Sequence, residues 1–277
     1  MNRPNRDRLR CIILCSICII PDVLSLTGQN VKLIENNEYP FIVSISNKLG
    51  HLKPPQQHRC GGTLFTKRHV LTAAHCITNK DVSDIKVIAG FGKDNHADLK
   101  LFDAIRKETY EDWAKQFGPL SSPLDDIGVL ELSVDDTGIT PALLQILPNS
   151  HRPESIVVLT GWGLKADNKV LGSPILRKAS LTAISNLECQ KHVNAFLAEW
   201  EWIKVPEQYI CTPGVPAALG DCGDSGSPVL DENNFVIGVH IAICPTTGNS
   251  DAARVNMALN VFYYQGFIAD ISYNPHW

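Results

Sequence analysis

Gly220-Asp-Cys-Gly-Asp224-Ser225-Gly-Ser-Pro228 is the stretch on which the reading of this chain turns. Glycines on both sides of Ser225 allow two backbone N–H groups to converge beside its hydroxyl, which bulkier residues would obstruct. A serine becomes a nucleophile only beside a base that takes its proton and a third group that orients the base. Two upstream segments offer those groups. One runs from Cys60-Gly-Gly-Thr-Leu64 to Val70-Leu-Thr-Ala-Ala-His75-Cys76, and the other is Asp125-Asp126-Ile-Gly-Val-Leu-Glu-Leu132. Each alone has an ordinary structural explanation: a histidine beside a cysteine, a turn aspartate before an apolar strand, a glycine-rich loop. Their occurrence together, in this order, points to chemistry.

The rest of the chain sets the frame. It has 277 residues, 44% hydrophobic and 19% charged, enough to bury a core, and a net charge of −4 without a basic face for nucleic acid. Apolar or alternating runs at 41–46, 61–66, 85–90, 127–132, 156–159, 174–184 and 235–240 predict short strands between turn formers. Ser185-Asn186 predicts the cap of a helix running to about Trp200, and Val261–Ile271 a late helix. Many short strands with a late helix predict an all-β sandwich or barrel. No Gly/Ser-rich linker divides it.

Four arginines against one acid in the first ten residues, then the apolar run Cys11–Ile20, give the layout of a secretory signal peptide. A membrane span needs ~20 apolar residues, and Asp22 interrupts this run. The expected division is a signal peptide at 1–25 and one domain at 26–277. The product is then secreted and extracellular. Cleavage would remove Cys11, Cys15 and Cys18 and leave Cys60, Cys76, Cys189, Cys211, Cys222 and Cys244. Six cysteines in a secreted chain read as three disulfides, although fifteen pairings are open. The remaining histidines show no metal-ligand spacing, so no metal and no cofactor is expected.

From about residue 26 to 277 the chain resembles a chymotrypsin/trypsin-type serine peptidase. The histidine, aspartate and serine segments carry the likeness, with Pro40-Phe-Ile-Val-Ser-Ile45, Thr160-Gly-Trp-Gly163 and the late helix. The resemblance implies two packed six-stranded Greek-key β-barrels with a C-terminal helix, and a serine endopeptidase acting through an acyl-enzyme. By it His75 is general base and acid, Asp126 orients the imidazole, and Ser225 is the nucleophile. Asp126 is preferred to Asp125 because it abuts Ile-Gly-Val-Leu, as the family's aspartate abuts Ile-Ala-Leu. The N–H groups of Gly223 and Ser225 would form the oxyanion hole. The implied disulfides are Cys60–Cys76, Cys189–Cys211 and Cys222–Cys244. The implied partners are a protein or peptide substrate and, as a candidate, a proteinaceous inhibitor. Nucleic acid and membrane are not expected, and a monomer is the default.

The chain departs from the pattern in three places. No basic residue precedes a family-like activated terminus, so Leu26, freed by signal peptidase, is expected to pair with Asp224. Cys222 abuts Gly223 directly, one residue short, and Ser227 replaces a glycine. In the substrate pocket, Ile241-Ala242-Ile243 replaces Ser-Trp-Gly, Gly220 or Leu219 stands where tryptic members carry an aspartate, and Asn256 stands near a far-wall glycine. A cation buried there would lack a partner, so a small aliphatic P1 residue is expected. The alternative reading is a catalytically impaired homologue that binds or regulates.

Overall fold

A computed structural model describes residues 26, 28–47, 58–91, 99–122, 124–145, 147, 152–162, 176–195, 202, 204–214, 216–220, 223–244 and 254–273. The expected signal segment 1–25, Cys222, Gly163 and Trp200 lie outside them.

The first half is a closed barrel. Its strands are β2 (Ile42–Asn47), β3 (His58–Leu64), β4 (His69–Thr72), β5 (Ile85–Ala89), β6 (Lys100–Thr109) and β7 (Gly128–Leu132), in the order β2-β3-β4-β7-β6-β5. Closure explains the near-continuous apolar runs in β5 and β7: Ile85, Val87, Ile88, Val129, Leu130 and Leu132 are all at most 1% exposed. β-Branched residues fit such strands, which have no solvent face.

The second half contains β1 (Val31–Leu33), β8 (Ile156–Gly161), β9 (Arg177–Thr182), β10 (Tyr209–Pro213), β11 (Pro228–Leu230), β12 (Val236–Cys244) and β13 (Val255–Asn260). They form one seven-stranded sheet, β1-β9-β8-β11-β12-β13-β10. It differs from an expected six-stranded barrel in two ways. Strand β1 adds to the outer edge of β9, pairing Lys32 with Lys178, and among the described residues the segment after β9 pairs with β10 only through the isolated Ile184–Cys211 bridge.

Among the described residues three α-helices complete the fold: α1 (Tyr110–Phe117), α2 (Asn186–Asn194) and α3 (Gln265–Tyr273), the last preceded by a 3₁₀ turn at Val261–Tyr264. Ser185 caps α2 as its sequence predicts, through Oγ accepting from Glu188 N, but the helix ends at Asn194, well short of Trp200. Helix α1 was not legible. Thr109 caps it and Gly118, at φ +85°, ends it. Of the implied disulfides, Cys60–Cys76 and Cys189–Cys211 form, and Cys244 is disulfide-bonded to a residue outside those described.

Candidate active site

The three residues singled out by sequence meet at the seam between the halves. Strand β4 ends at Thr72, Ala73 stays extended, and a 3₁₀ turn at Ala74–Cys76 lifts His75 off the barrel. Asp126 stands just before β7, which pairs with β4 so that Thr72 faces Gly128. That register brings the aspartate under the histidine. His75 Nδ1 lies 2.6 Å from Asp126 Oδ2, and His75 N–H donates to Oδ1 at 2.7 Å. Each carboxylate oxygen therefore serves one nitrogen of the same residue. A carboxylate can only accept, so the Nδ1–H tautomer is fixed and the Nε2 lone pair is left to act as a base.

The segment after His75 is clamped as well. Lys107, on β6, donates its ammonium to the carbonyls of Ile77 at 2.9 Å, Thr78 at 3.0 Å and Lys80. Lys107→Met is expected to free those carbonyls and cost roughly 1–3 kcal/mol of stability. Urea denaturation of the variant checks this, with tryptic nicking after Lys80 as the local readout.

Ser225 comes from the other half, on the turn before β11. Its carbonyl accepts from Gly61 N of β3 at 2.8 Å, Gly226 N donates to His240 O at 2.7 Å, and Ser227 N donates to Asp224 O at 3.1 Å. The turn is therefore braced from both halves. Ser225 is buried, and its Oγ donates to the carbonyl of Ile241 at 3.4 Å. No hydrogen bond joins it to His75 among the described residues. A bond that long is weak, and serine–histidine contacts without substrate are often loose.

Gly223 has φ +96°. Its carbonyl accepts from His58 Nε2 at 2.9 Å, and a Cβ there would stand 3.2 Å from the same ring. His58 Nδ1 in turn accepts from Ser44 Oγ at 2.7 Å. The ring packs on Trp162, centroids 4.7 Å apart. Burial pushes the imidazole down to about 4, so it is neutral at pH 7. Sequence reasoning passed over His58 because it sought histidines at metal-ligand spacing, and this one works through backbone. Asp224 is fully buried, its carboxylate where a Cβ on Gly161 would stand, only 2.1 Å from Oδ1.

Leu26 is 1% exposed, in an apolar cluster with Val157, Leu159, Ile210, Ala218 and Ala258. The chain after it runs along the pocket segment: Gln29 N donates to Pro216 O at 2.9 Å and Asn30 N to Ala217 O at 3.0 Å. At the pocket itself, Asn256 Oδ1 accepts from Gly220 N at 2.7 Å, and its amide donates to Ala218 O at 2.9 Å and Thr212 Oγ1 at 3.1 Å. A side chain at Gly220 would meet His240 Cε1 at 2.8 Å, His240 Nε2 at 3.0 Å and Asn256 Oδ1 at 3.4 Å. That space is already filled. Ile241 and Ala242 are buried beside it, at a bulge between His240 and Ala242, and Ile243 is half-buried.

Comparison with known proteins agrees with this geometry. The family model described as Trypsin matches residues 29–268. Trypsin iota of Drosophila melanogaster is 28% identical over 76% of this chain and 75% of its own length. Chymotrypsin-C of Rattus norvegicus is 27% identical over 80% and 78%. Among solved structures, mouse neuropsin superposes with a TM-score of 0.66 at 18% identity, covering 87% of this chain and 98% of that one. The Vibrio cholerae VesB protease gives 0.64 at 19%, covering 88% and 67%. Matched over most of its length, the chain belongs to the trypsin family of serine peptidases.

Proposed function

We propose that this chain is a secreted serine endopeptidase that cuts after small, uncharged residues, with His75, Asp126 and Ser225 as its catalytic residues. The observation that carries the reading is the paired contact of both Asp126 oxygens with His75, facing a serine turn braced from both halves. In the reaction, His75 Nε2 takes the Ser225 proton as Oγ attacks the scissile carbonyl. The N–H groups of Gly223 and Ser225 hold the oxyanion, and collapse expels the amine, which receives the proton from His75. Water, activated by the same nitrogen, then hydrolyses the acyl-enzyme. His58, bound to the Gly223 carbonyl, would anchor the peptide that follows Gly223 and so limit rotation of the residue whose own N–H lines the oxyanion hole.

Secretion is supported by the disulfides, which persist in oxidising compartments. The burial of Leu26 supports its place as the mature terminus, with its amine pairing the buried Asp224. The P1 preference is supported by the crowding at Gly220, where an added Cβ would meet His240 and Asn256.

A fluorophosphonate probe tests the core claim: the secreted protein should label, and Ser225→Ala should not. Absence of labelling in folded protein beginning at Leu26 would favour a binding homologue. For the pocket, Ala, Ser and Val are expected to lead a P1 panel over Arg and Phe. The double variant Asn256→Gly/His240→Val should raise kcat/KM for Leu or Phe relative to Ala by about 10-fold or more, because each added methylene that fits contributes 1–3 kcal/mol. An unchanged ranking would mean that the floor is not what selects.

A further inference from the structure

Asp125, set aside in favour of its neighbour, has a position that the triad does not explain. Its carboxylate faces away from His75 and toward the other half of the molecule. Tyr264, in the 3₁₀ turn after β13, donates its hydroxyl to Asp125 Oδ1 at 2.7 Å, and Gln208 Nε2 approaches the same oxygen at 3.5 Å. Oδ2 accepts from Ser122 N at 2.7 Å, which closes the turn 122–125 together with Asp125 N donating to Ser122 O at 2.9 Å. One residue earlier, the Leu124 carbonyl accepts from Tyr209 Oη at 2.8 Å. Tyr209 and Tyr264 are at most 2% exposed, so neither hydroxyl has an easy alternative in water. Tyr110 packs edge-on against the Tyr264 ring at 5.0 Å, and Trp113 Nε1 donates to Asp270 of α3 at 3.1 Å.

Among the described residues both oxygens of Asp126 bond only to His75, so its carboxylate makes no bond there that registers it against the half carrying Ser225. That register must come through the backbone on either side. We propose that Asp125, gripped by Tyr264, is a positioning residue that sets the His75–Asp126 pair against Ser225 across the seam. The proposal rests on the endopeptidase reading above. Its physical basis is that misplacing reacting groups by about 1 Å can cost 10²-fold in rate without weakening substrate binding.

Tyr264→Phe is the cleanest probe, since phenylalanine keeps the ring packing and loses only the hydroxyl. Its kcat, counted per fluorophosphonate-titrated site, is expected to fall about 10- to 100-fold with KM within about twofold. Asp125→Ala should behave likewise. Asp125→Asn should recover most of the rate, because its amide can accept from Ser122 N and donate to the phenol oxygen of Tyr264. A second readout is the far-downfield proton resonance expected of the 2.6 Å His75–Asp126 hydrogen bond. It should shift or broaden in Tyr264→Phe and remain in Asp125→Asn. Wild-type kcat per titrated site in Tyr264→Phe and Asp125→Ala would overturn the proposal, as would a loss confined to the number of titratable sites, which is mere unfolding. Failure of the wild-type chain to label would instead overturn the endopeptidase reading, and the resonance would still report on the strut.

Discussion

Asp126→Asn is expected to lower kcat/KM by about 10⁴-fold while leaving the fold intact. The direction follows from the two contacts the carboxylate makes. The backbone N–H of His75 is always a donor, so the amide oxygen of asparagine must take the place of Oδ1, 2.7 Å away. The amide nitrogen is then left opposite Nδ1, where it donates. Nδ1 becomes an acceptor, the ring proton moves to Nε2, and the imidazole can no longer take a proton from Ser225. Size and shape are preserved, so thermal unfolding should change little. Steady-state kinetics on a small peptide ester, with Ser225→Ala as background, would show it. Activity within about tenfold of wild type would mean that Asp126 does not set the tautomer, and the assigned roles would fail with it.

What sequence could show of this site depended on how each residue works. His75, Asp126 and Ser225 were legible because their chemistry demands particular side chains in a glycine- or strand-bounded setting. Asp125 and His58 were not, because each acts through a bond to an element more than a hundred residues away, Tyr264 or the Gly223 carbonyl. Asn256 was placed near the pocket wall by resemblance, but its bonds to Gly220 N and Ala218 O depend on reaching across the sheet and leave no local signal. The fold divides in the same way. Strands in the barrel interior announce themselves by apolar runs. Strand β6, with Lys100, Asp103, Arg106, Lys107 and Glu108 among its ten residues, does not, because it forms under the pairing of β5 and β7 rather than by its own composition. The short β1 is held by β9.

Acidification should destabilise the protein steeply between about pH 6.5 and pH 4.5, well before most carboxylates titrate. Burial holds both His58 and His240 down to about 4, and His69 is lowered in the same direction. In the unfolded chain each would titrate near the ordinary histidine value of about 6.5. As pH falls through 6.5 the unfolded state takes up protons that the folded state refuses, so stability present above that pH is lost on the way down to 4. For His58 and His240 together the loss at pH 4.5 is roughly 5 kcal/mol, comparable with the whole stability of many domains. The two histidines differ in what replaces them. His58 is bonded at both nitrogens, to Ser44 and to Gly223, so its removal should cost stability at pH 7, by an amount that shrinks toward pH 4.5. Among the described residues no ring nitrogen of His240 makes a full hydrogen bond, only an attraction to the Asp224 backbone, so His240→Leu should lose little stability at pH 7 and gain at pH 4.5. Urea denaturation at the two pH values measures both. Carboxylates held low by their partners, such as Glu38 beside Lys178, lose their contribution only below this window, and Glu108, raised by burial, opposes the trend. Stability that stayed flat from pH 6.5 to 4.5, or a His240→Leu variant with the wild-type slope, would mean that these rings reach water more readily than their burial implies.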